Sequence, residues 1–487
     1  MLHAFAPVLG ALARVLLVFS FTFWVPFAWA WLADAHRLEL AWSGGALLTA
    51  AVALVLWAMT RRSKRELLPR DGFLLVNLVW AVLPAFAALP LWWGVPSISY
   101  TDAYFEAMSG LTATGATVLT GLDDLPLSVN IWRCFLQLFG GLGIMLLVVA
   151  ILPLLGLGGV QLYRAETPGP MKDAKLTPRI AETARGLWGV YVLLSVACLL
   201  AYRWAGMSWA DAFMNMSTTV SLGGFSSHDA SFAYWDSWRV EAVAVTFMLL
   251  AGVSFARYFV MWRTRSLRSL AADVEVRWYV LVLLGSVALL TLLLLLDRVE
   301  TDGLEALRHV MFQVVSLATT TGYASVNYAA WPAFAPVLLI MLGCFVSCAG
   351  STGGGVKMVR MILLAKQAGR ELVRTVHPRV INPVKLGQTP IANGVLVAVL
   401  AFMLIYGASM LGLSLLMLWS GLDMVTAFSA VVALLNNIGP GLGQVGPVNH
   451  YGVLTDAQTW LGSFAMMLGR LELLSVWVLL TRAFWRK

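Results

Sequence analysis

The sequence predicts an all-α integral membrane protein in which four similar units surround one axis. Of its 487 residues, 60% are hydrophobic and only 12% are charged, a balance atypical of a soluble protein of this length. Apolar runs of about 20 residues, the length that crosses hydrocarbon, recur along the chain. Between them lie four short glycine-centred segments: TATGAT at 112–117, SLGGFS at 221–226, TTTGYAS at 319–325 and NNIGPG at 436–441.

Residues 1–68 are predicted to form two transmembrane helices that precede the four units. The units occupy residues 69–160, 161–270, 271–385 and 386–487. Each is expected to contain a helix, a short pore helix, a glycine loop and a second helix, which makes ten spans and four pore helices in all. Because units that repeat in one orientation can close around an axis, the predicted fold has four pseudo-repeated helix–pore-helix–loop–helix units around one pore.

The pore helices are too short to cross a bilayer, which suits re-entrant helices; they are expected at 101–111, 209–219, 303–318 and 423–435. The second helices of the units are expected at 131–155, 238–262, 334 to 366 and 460–484. An acidic residue near the start of each pore helix, namely Asp102, Asp211, Glu305 or Asp423, favours the helix dipole and can cap free N–H groups. Alternatively, these acids only mark the ends of loops.

Most of the 33 Lys and Arg residues fall in every second connection between spans; the clusters are 61–70, 164–185, 257–277, 357–385 and 482–487. The intervening connections are neutral or acidic. This positive-inside pattern predicts that both termini are cytoplasmic and that the four glycine loops face the outer side. The net charge of +8 therefore reflects membrane topology, and no nucleic-acid partner is expected.

The four glycine loops are the candidate cation site. A dehydrated potassium ion needs a cage of oxygens, and backbone carbonyls supply neutral, closely spaced ligands where glycine allows unusual dihedral angles. The candidate ligands come from consecutive pairs in each loop: Thr114 and Gly115, Gly223 and Gly224, Thr321 and Gly322, Ile438 and Gly439. Because the four loops differ in sequence, the ring is expected to be asymmetric.

A glycine-rich stretch interrupts the second helix of the third unit and is the candidate gate. It comprises Gly350, Ser351, Thr352, Gly353, Gly354, Gly355 and, after Val356, Lys357. Each glycine costs a helix about 1 kcal/mol relative to alanine, so the helix should break here, in polar or water-filled surroundings. A phosphate-binding loop is the competing interpretation, but the Walker A spacing is absent.

Arg470 lies inside the last apolar run, where a charge is costly and indicates function. It is predicted to face the permeation path and, as a like charge, to keep cations from resting too tightly. The alternative is a structural ion pair with Glu472 or with a group on a neighbouring helix.

On these features the chain resembles the Trk-type potassium uptake proteins, the TrkH-like membrane subunits of the Trk/Ktr/HKT superfamily, over nearly its whole length. The resemblance rests on the four loops and on the motifs GGLGI at 140–144, AETPGP at 165–170, LTPRI at 176–180, GSTGGGVK at 350–357 and MLGRLEL at 467–473. Plant sodium-selective relatives carry Ser in place of the first filter glycine. Gly115 is present here, which favours potassium, whereas Ala116 and Pro440 depart from the pattern and bear on fine selectivity.

The resemblance implies a multi-pass protein of the bacterial inner membrane that binds and transports K+. It further implies a homodimer with one pore per protomer, surrounded by membrane lipid. Gating would depend on a cytoplasmic RCK-type regulatory subunit, similar to TrkA, that binds NAD or ATP. The basic stretches 257–268 and 366–385 are candidate docking surfaces for it, although they equally suit lipid headgroups.

Three other classes of membrane protein predict different sequence features. A secondary transporter with alternating access should show inverted repeats and broken helices in both halves, which this chain does not. A membrane-embedded enzyme should cluster carboxylates, histidines or a metal motif at one face, whereas the acids here are dispersed, so no enzyme is expected. A sodium/potassium or proton-coupled cation symporter of the same fold stays open.

Overall fold

The computed structural model describes residues 2–33, 35–63, 65, 67–96, 98–150 and 176–486. The described part is almost entirely helical. Its small antiparallel hairpin pairs β1 (Lys385–Leu386) with β2 (Thr389–Pro390). The end of the helix predicted at 131–155, the motif at 165–170 and part of the basic stretch 164–185 lie outside the described residues.

The helices are, in chain order, α1 Leu2–Ser20, α2 Trp24–Leu32, α3 His36–Thr60, α4 Pro69–Gly94, α5 Tyr100–Leu111, α6 Leu127–Ala150, α7 Leu176–Ala205, α8 Trp209–Val220, α9 Trp238–Ala251, α10 Phe255–Thr264, α11 Arg268–Ala271, α12 Val274–Leu296, α13 Gly303–Ala318, α14 Phe334–Phe345, α15 Met358–Val376, α16 Asn393–Trp419, α17 Met424–Leu435, α18 Asp456–Arg470, α19 Leu474–Trp477 and α20 Arg482–Trp485. Short 3₁₀ turns link several of them, including Phe21–Phe23 between α1 and α2.

Six helical segments in the described part are long and apolar enough to cross a membrane, or eight if each of two bent helix pairs counts as one span. In each of the six, fewer than half of the residues in the most apolar stretch are buried. Large apolar side chains such as Leu40, Leu404 and Trp419 project outward. An apolar surface of this kind is suited to contact with membrane lipid, which agrees with the predicted all-α membrane fold.

Two of the ten predicted spans do not meet this criterion. The span predicted at 131–155 begins as α6 and runs into residues that are not described. The span predicted at 334–366 is broken into α14 and α15, separated by residues 346–357. The break was anticipated from the glycine-rich stretch, because consecutive glycines disfavour helix.

The four predicted pore helices appear as α5, α8, α13 and α17, within one or two residues of the expected ends. Three of their four N-caps differ from the expectation. Ser99 caps α5 and Ser208 caps α8, each accepting a hydrogen bond of 3.0 Å from the backbone of the following Asp102 or Asp211. Asp302, rather than the predicted Glu305, caps α13 because it directly precedes the helix.

Asp423 caps α17 by accepting from the Thr426 backbone at 3.0 Å. Each pore helix therefore has a carboxylate in or beside its first turn, where it stabilises the positive end of the dipole.

The second helices of the second and fourth units were expected to be continuous, but both are bent. The predicted helix 238–262 is divided into α9 and α10, which meet at 84°, and the predicted helix 460–484 turns by 108° between Arg470 and Leu474. The first bend allows its backbone to pair with the broken segment: Cys348 N donates to Gly252 O at 3.1 Å and Phe255 N to Gly350 O at 3.0 Å. Neither bend was visible in hydropathy, because both flanks are apolar.

Two large clusters of buried apolar side chains flank the axis. One is drawn mainly from the second and third units, and the other from the N-terminal helices with the first and fourth units. Leu222 and Tyr323 are anchored in the first cluster and Ala116 in the second. The glycine loops are therefore fixed from both sides by close-packed core, which limits how far their backbone can move.

Candidate functional site: a ring of four loops and the segment beneath it

The four pore helices end in the same backbone motif. In each, the residue two before the loop glycine has a positive φ: 50° at Ala113, 55° at Leu222, 63° at Thr320 and 54° at Asn437. The N–H of the following residue then donates to the carbonyl five residues earlier. These bonds are Thr114 N to Ser109 O at 2.9 Å, and Gly223 N to Thr218 O, Thr321 N to Ser316 O and Ile438 N to Ala433 O, each at 2.8 Å. This is a Schellman ending without its usual glycine.

The left-handed conformation is unfavourable for Ala and Leu and worse for β-branched Thr. The strain is held by the surrounding core, since Ala113, Leu222 and Thr320 are buried. Strained backbone conformations persist only where the surrounding structure enforces them, and they cluster at functional sites.

The four loop glycines form a closed ring. All have positive φ, from 78° at Gly224 to 95° at Gly439. A β-carbon on Gly115 would lie 2.2 Å from Gly223 O, one on Gly224 1.8 Å from Thr321 O, one on Gly322 2.0 Å from Ile438 O, and one on Gly439 2.7 Å from Thr114 O. Each glycine thus faces the carbonyl that precedes the next glycine, and the fourth returns to the first. All eight residues predicted as ligands are brought together here.

Threonine hydroxyls line the first and third loops in the same way. Thr112 Oγ1 lies 2.7 Å from Thr114 Oγ1, and Thr319 Oγ1 lies 2.8 Å from Thr321 Oγ1. The second loop has Gly223 and the fourth has Ile438 at the matching position, so the hydroxyls alternate with apolar positions around the ring. The ring is therefore asymmetric, as expected, but opposite loops resemble each other: the first and third carry threonine hydroxyls, and the second and fourth do not.

Gln137 of α6 braces the second loop and was missed by sequence reasoning. It is fully buried; its Nε2 donates to Gly223 O at 2.7 Å and its Oε1 accepts from Phe225 N at 3.2 Å. A β-carbon on Gly223 would meet this amide at 2.4 Å, which explains the first glycine of the SLGGFS segment. The only signal in the sequence was one amide within an apolar helix.

The first loop is braced by a buried ion pair that also escaped prediction. Glu106 of α5 accepts from Arg133 Nε at 2.6 Å, from Thr117 Oγ1 at 3.0 Å and from Val118 N at 3.0 Å. Arg133 also donates to Thr117 Oγ1 at 3.0 Å and lies over the Phe225 ring of the second loop. Removing either charge would leave the other unpaired in the core, which is strongly unfavourable.

An open cavity of about 90 Å³ lies on one side of the ring and includes all four loop glycines in its lining. His228 and Asp229 are at its edge. The His228 ring contacts Asp123 through Nδ1, and its Nε2 lies 3.4 Å from Asp211 Oδ1. Partial burial lowers the pKa of His228, but the two carboxylates together raise it above 6.5. The entrance thus carries more negative than positive charge.

The broken segment between α14 and α15 lies at the opposite end of the loops from this cavity. Thr352 Oγ1 donates to Val220 O at 3.0 Å, and Gly354 N donates to Thr320 Oγ1 at 2.8 Å. A β-carbon on Gly354 would lie 2.1 Å from Asn436 O. The segment therefore touches the inner ends of the second, third and fourth loops.

Within the segment, the chain folds back on itself. Ser347 Oγ donates to Gly354 O at 2.7 Å, and Lys357 Nζ contacts Gly353 O. Lys357 is buried and has a φ of 77°. Gly350, Ser351 and Gly355 complete the turn, and Gly350 O accepts from Phe255 N at 3.0 Å. All seven residues predicted for the gate are thus in one compact loop, which is buried except at the partly exposed Gly350 and Gly355.

Arg470 is the last residue of α18 and is 3% exposed. Its Nη1 donates to Thr352 O at 2.8 Å and its Nη2 to Gly140 O at 3.1 Å, so it links the broken segment to the first unit. Of the two partners offered by the predicted alternative, Glu472 does not pair with Arg470, whereas a neighbouring helix does supply a partner, the Gly140 carbonyl of α6. Glu472 turns away at the bend and pairs with Arg360 at 2.5 Å, because its φ of 53° reverses the chain direction.

In the described part of the chain, no group of three or more His, Cys, Asp or Glu side chains is placed to hold a metal ion. Oxygen atoms at the ring come from backbone carbonyls and threonine hydroxyls instead. Such neutral ligands suit a monovalent ion that passes through rather than a resident metal. The fold and the ring together define a multi-pass membrane protein with four pore loops in one chain.

Comparison with known proteins agrees. The profile of the TrkH family, described as cation transport proteins, matches residues 41–486. The Trk system potassium uptake protein TrkH of Halomonas elongata is 44% identical over 481 residues, 99% of each chain, and that of Escherichia coli K12 is 45% identical over 438 residues, 90% of each. The crystal structure of the potassium transporter TrkH from Vibrio parahaemolyticus matches with a TM-score of 0.91 at 39% identity, covering 99% of this chain and 100% of that one.

The chain belongs to the TrkH family of cation transport proteins. This confirms the family and the fold class predicted from the sequence, and it identifies a transport protein rather than an enzyme.

Proposed function

We propose that the chain mediates potassium uptake, with K+ losing its water at the ring of loop carbonyls. The observation that carries this proposal is the closed order of contacts from Gly115 to Gly223, Gly224 to Thr321, Gly322 to Ile438 and Gly439 to Thr114. Carbonyls drawn from four directions can replace a hydration shell. The carbonyls of all eight predicted loop residues, with the Thr114 and Thr321 hydroxyls, are the proposed ligands of K+. The relatives named above are potassium uptake proteins, which supports the same ion here.

The proposed path enters at the cavity beside His228, crosses the ring and then meets the broken segment 350–357. Residues of this segment bond to the inner ends of the second and third loops and pack against that of the fourth, so it acts as a gate that must move before an ion can pass. Arg470 holds the segment through Thr352 O and adds a positive charge below the ring. A like charge there would repel a cation and keep it from resting below the ring.

Orientation and partners follow from charge placement. We place both termini in the cytoplasm, since the basic connections lie on one side and the loop cavity on the other. α15 carries Lys366, Arg370 and Arg374 with a mostly exposed outer face, and it begins directly after the gate. A cytoplasmic RCK-type, NAD- or ATP-binding subunit docked on α15 would therefore act on the gate. A homodimer in the bacterial inner membrane completes the proposal.

The test is cation flux into liposomes that contain the purified chain, driven by an imposed diffusion potential. An inside-negative potential supplies about 2.3 kcal/mol per charge for each 100 mV. We expect K+ and Rb+ to enter faster than Na+ and Li+. Equal rates for Na+ would retain the pore and overturn potassium selectivity.

Flux that requires a proton or sodium gradient, rather than voltage alone, would instead favour the symporter of the same fold. If the chain alone is silent, the assay is repeated with the TrkA-like regulator and NAD or ATP. Silence in both conditions contradicts the proposal.

A further inference from the structure

A single carboxylate oxygen joins the two ends of the broken segment. Glu275 lies in the first turn of α12 and is 8% exposed. Its Oε1 accepts from Ala349 N at 2.7 Å, just before the segment, and from Val359 N at 3.1 Å, just after it. The segment is thus closed across its base by a side chain from a different helix.

The geometry limits how far the base can open. While both N–H groups bond to one oxygen, their nitrogens stay within about 6 Å of each other, twice the length of a hydrogen bond. Any motion that carries Val359, in the first turn of α15, away from Ala349 must break at least one of the two bonds. The oxygen left behind would then be a buried carboxylate with a lost charge-assisted partner, which favours the closed arrangement.

Glu275 is in turn fixed from the neighbouring helix. Asp273, the N-cap of α12, accepts from Glu275 N at 2.9 Å and pairs with Arg257 of α10 at 2.5 Å. The same helix, α10, begins at Phe255, which bonds to Gly350 of the segment. A chain of contacts therefore links Arg257, in a basic surface stretch, through Asp273 and Glu275 to both ends of the segment 350–357.

We propose that Glu275 is a positioning residue that latches the gate closed, and that opening requires its release from Ala349 or Val359. The inference rests on the proposed function, because it assumes that the segment 350–357 controls ion flux. It goes further in assigning the closed state to one side chain outside the segment and outside the four loops. A partner that draws the 257–273 corner away would release the gate without touching it.

The test compares Glu275→Ala and Glu275→Gln with the unaltered chain in the liposome assay without any regulator. Glu275→Ala removes both bonds and should raise K+ flux about tenfold, the equivalent of one charge-assisted hydrogen bond. Glu275→Gln keeps an accepting oxygen without the charge and should give a smaller rise. The matched control is Glu371→Gln, which removes an exposed carboxylate from α15 and should leave flux unchanged.

The ratio of K+ to Na+ flux should stay constant in all three variants, since the ring is untouched. A residue that only stabilises the fold would lower flux or alter this ratio. If the unaltered chain conducts K+ but Glu275→Ala does not raise the flux, the latch is wrong while the proposed function stands. If the unaltered chain carries no selective flux with or without a regulator, the proposed function itself fails.

Amide hydrogen exchange tests, independently of ion flux, whether Glu275 latches the segment or only stabilises the fold. In Glu275→Ala the Ala349 and Val359 amides should exchange faster, because they lose their acceptor. The amides of α13 should not change. Unaltered protection at both positions would overturn the latch whatever the flux shows.

Discussion

Asn437 of the fourth loop donates its side-chain amide to Thr114 Oγ1 of the first loop at 2.9 Å. The two residues are 323 positions apart in the sequence. The same amide reaches Met466 O at 3.1 Å on α18, and Thr114 Oγ1 in turn lies beside Thr112 Oγ1. The ring is therefore closed between its first and last loops by a side chain as well as by backbone packing.

Replacing Asn437 by Ala should weaken this closure. The variant loses a buried hydrogen bond and places Ala at a φ of 54°, which Asn tolerates better, so we expect destabilisation of about 1–3 kcal/mol. The midpoint of thermal unfolding in detergent measures this loss, and the ratio of K+ to Na+ flux should fall as the ring loosens. Asn393→Ala, at an exposed site, is the control. An unchanged midpoint would show that the bond contributes nothing.

Replacing Gly224 by Ala should abolish selective flux. The added methyl would lie 1.8 Å from Thr321 O, where no real contact exists, so the second or third loop must shift. Gly285→Ala is the matched control, because Gly285 lies in the middle of α12 with nothing within 4 Å of its β-carbon. We expect near-normal expression of both variants and liposome flux from the control only. Selective flux through Gly224→Ala would refute the ring as the filter.

Replacing Arg470 by Met should raise K+ flux severalfold. Met keeps much of the apolar stem but removes the donors to Thr352 O and Gly140 O, so the segment is held less firmly. It also removes a positive charge from the proposed path, which lowers the barrier for a cation. Arg486→Met, at the exposed C-terminal end, should have no effect. A fall in flux with unchanged thermal stability would assign Arg470 a conducting rather than a closing role.

The His228 contacts predict a pH dependence at the ring entrance. Because its pKa is raised on folding, protonated His228 stabilises the fold fully at pH below 6.5, and this contribution is lost as pH rises through the raised value. The thermal midpoint should therefore decline across that interval, and His228→Gln should remove that decline. Asp123 opposes the trend only in acid, where its lowered pKa is crossed.

Deprotonation of His228 also removes the positive charge that faces Asp123 and Asp211. The entrance becomes more negative and concentrates cations, so half-saturation of K+ flux should move to lower concentration as external pH rises. In His228→Gln this half-saturation should not vary across the same interval. A pH response that survives the substitution would assign it to another group.

The pore helices were predictable because their pattern is local. Each is a short apolar run with an acid at its start and a glycine shortly after its end, and the α13 range 303–318 was predicted residue for residue. The broken helix at 350–357 was predictable for the same reason, since consecutive glycines destabilise helix wherever they occur. The bends near Gly252 and Leu473 were not predictable, because hydropathy indicates which residues are apolar and not the direction in which a helix runs.

The bracing side chains also lay beyond sequence reasoning. Gln137, Glu106 and Glu275 are single polar residues whose partners are far away in sequence, such as Gly223 at 86 positions or Ala349 at 74. Glu472 is the alternative partner that the sequence offers for Arg470, two residues away, but it pairs with Arg360 at 112 positions. Nearness in sequence suggested the wrong partner because the chain reverses at Glu472 itself, whose φ is 53°.

The sequence by itself determined that this is a four-unit membrane protein with glycine loops and one broken helix, because composition, helix length and glycine placement act over a few turns of chain. Only the tertiary structure decided which carbonyl each glycine faces, that Ala113, Leu222 and Thr320 adopt strained left-handed conformations, and that one oxygen of Glu275 accepts from the backbone on both sides of the broken segment. Those features depend on contacts across units, where dense packing around a common axis overrides the conformational preference of the individual residue.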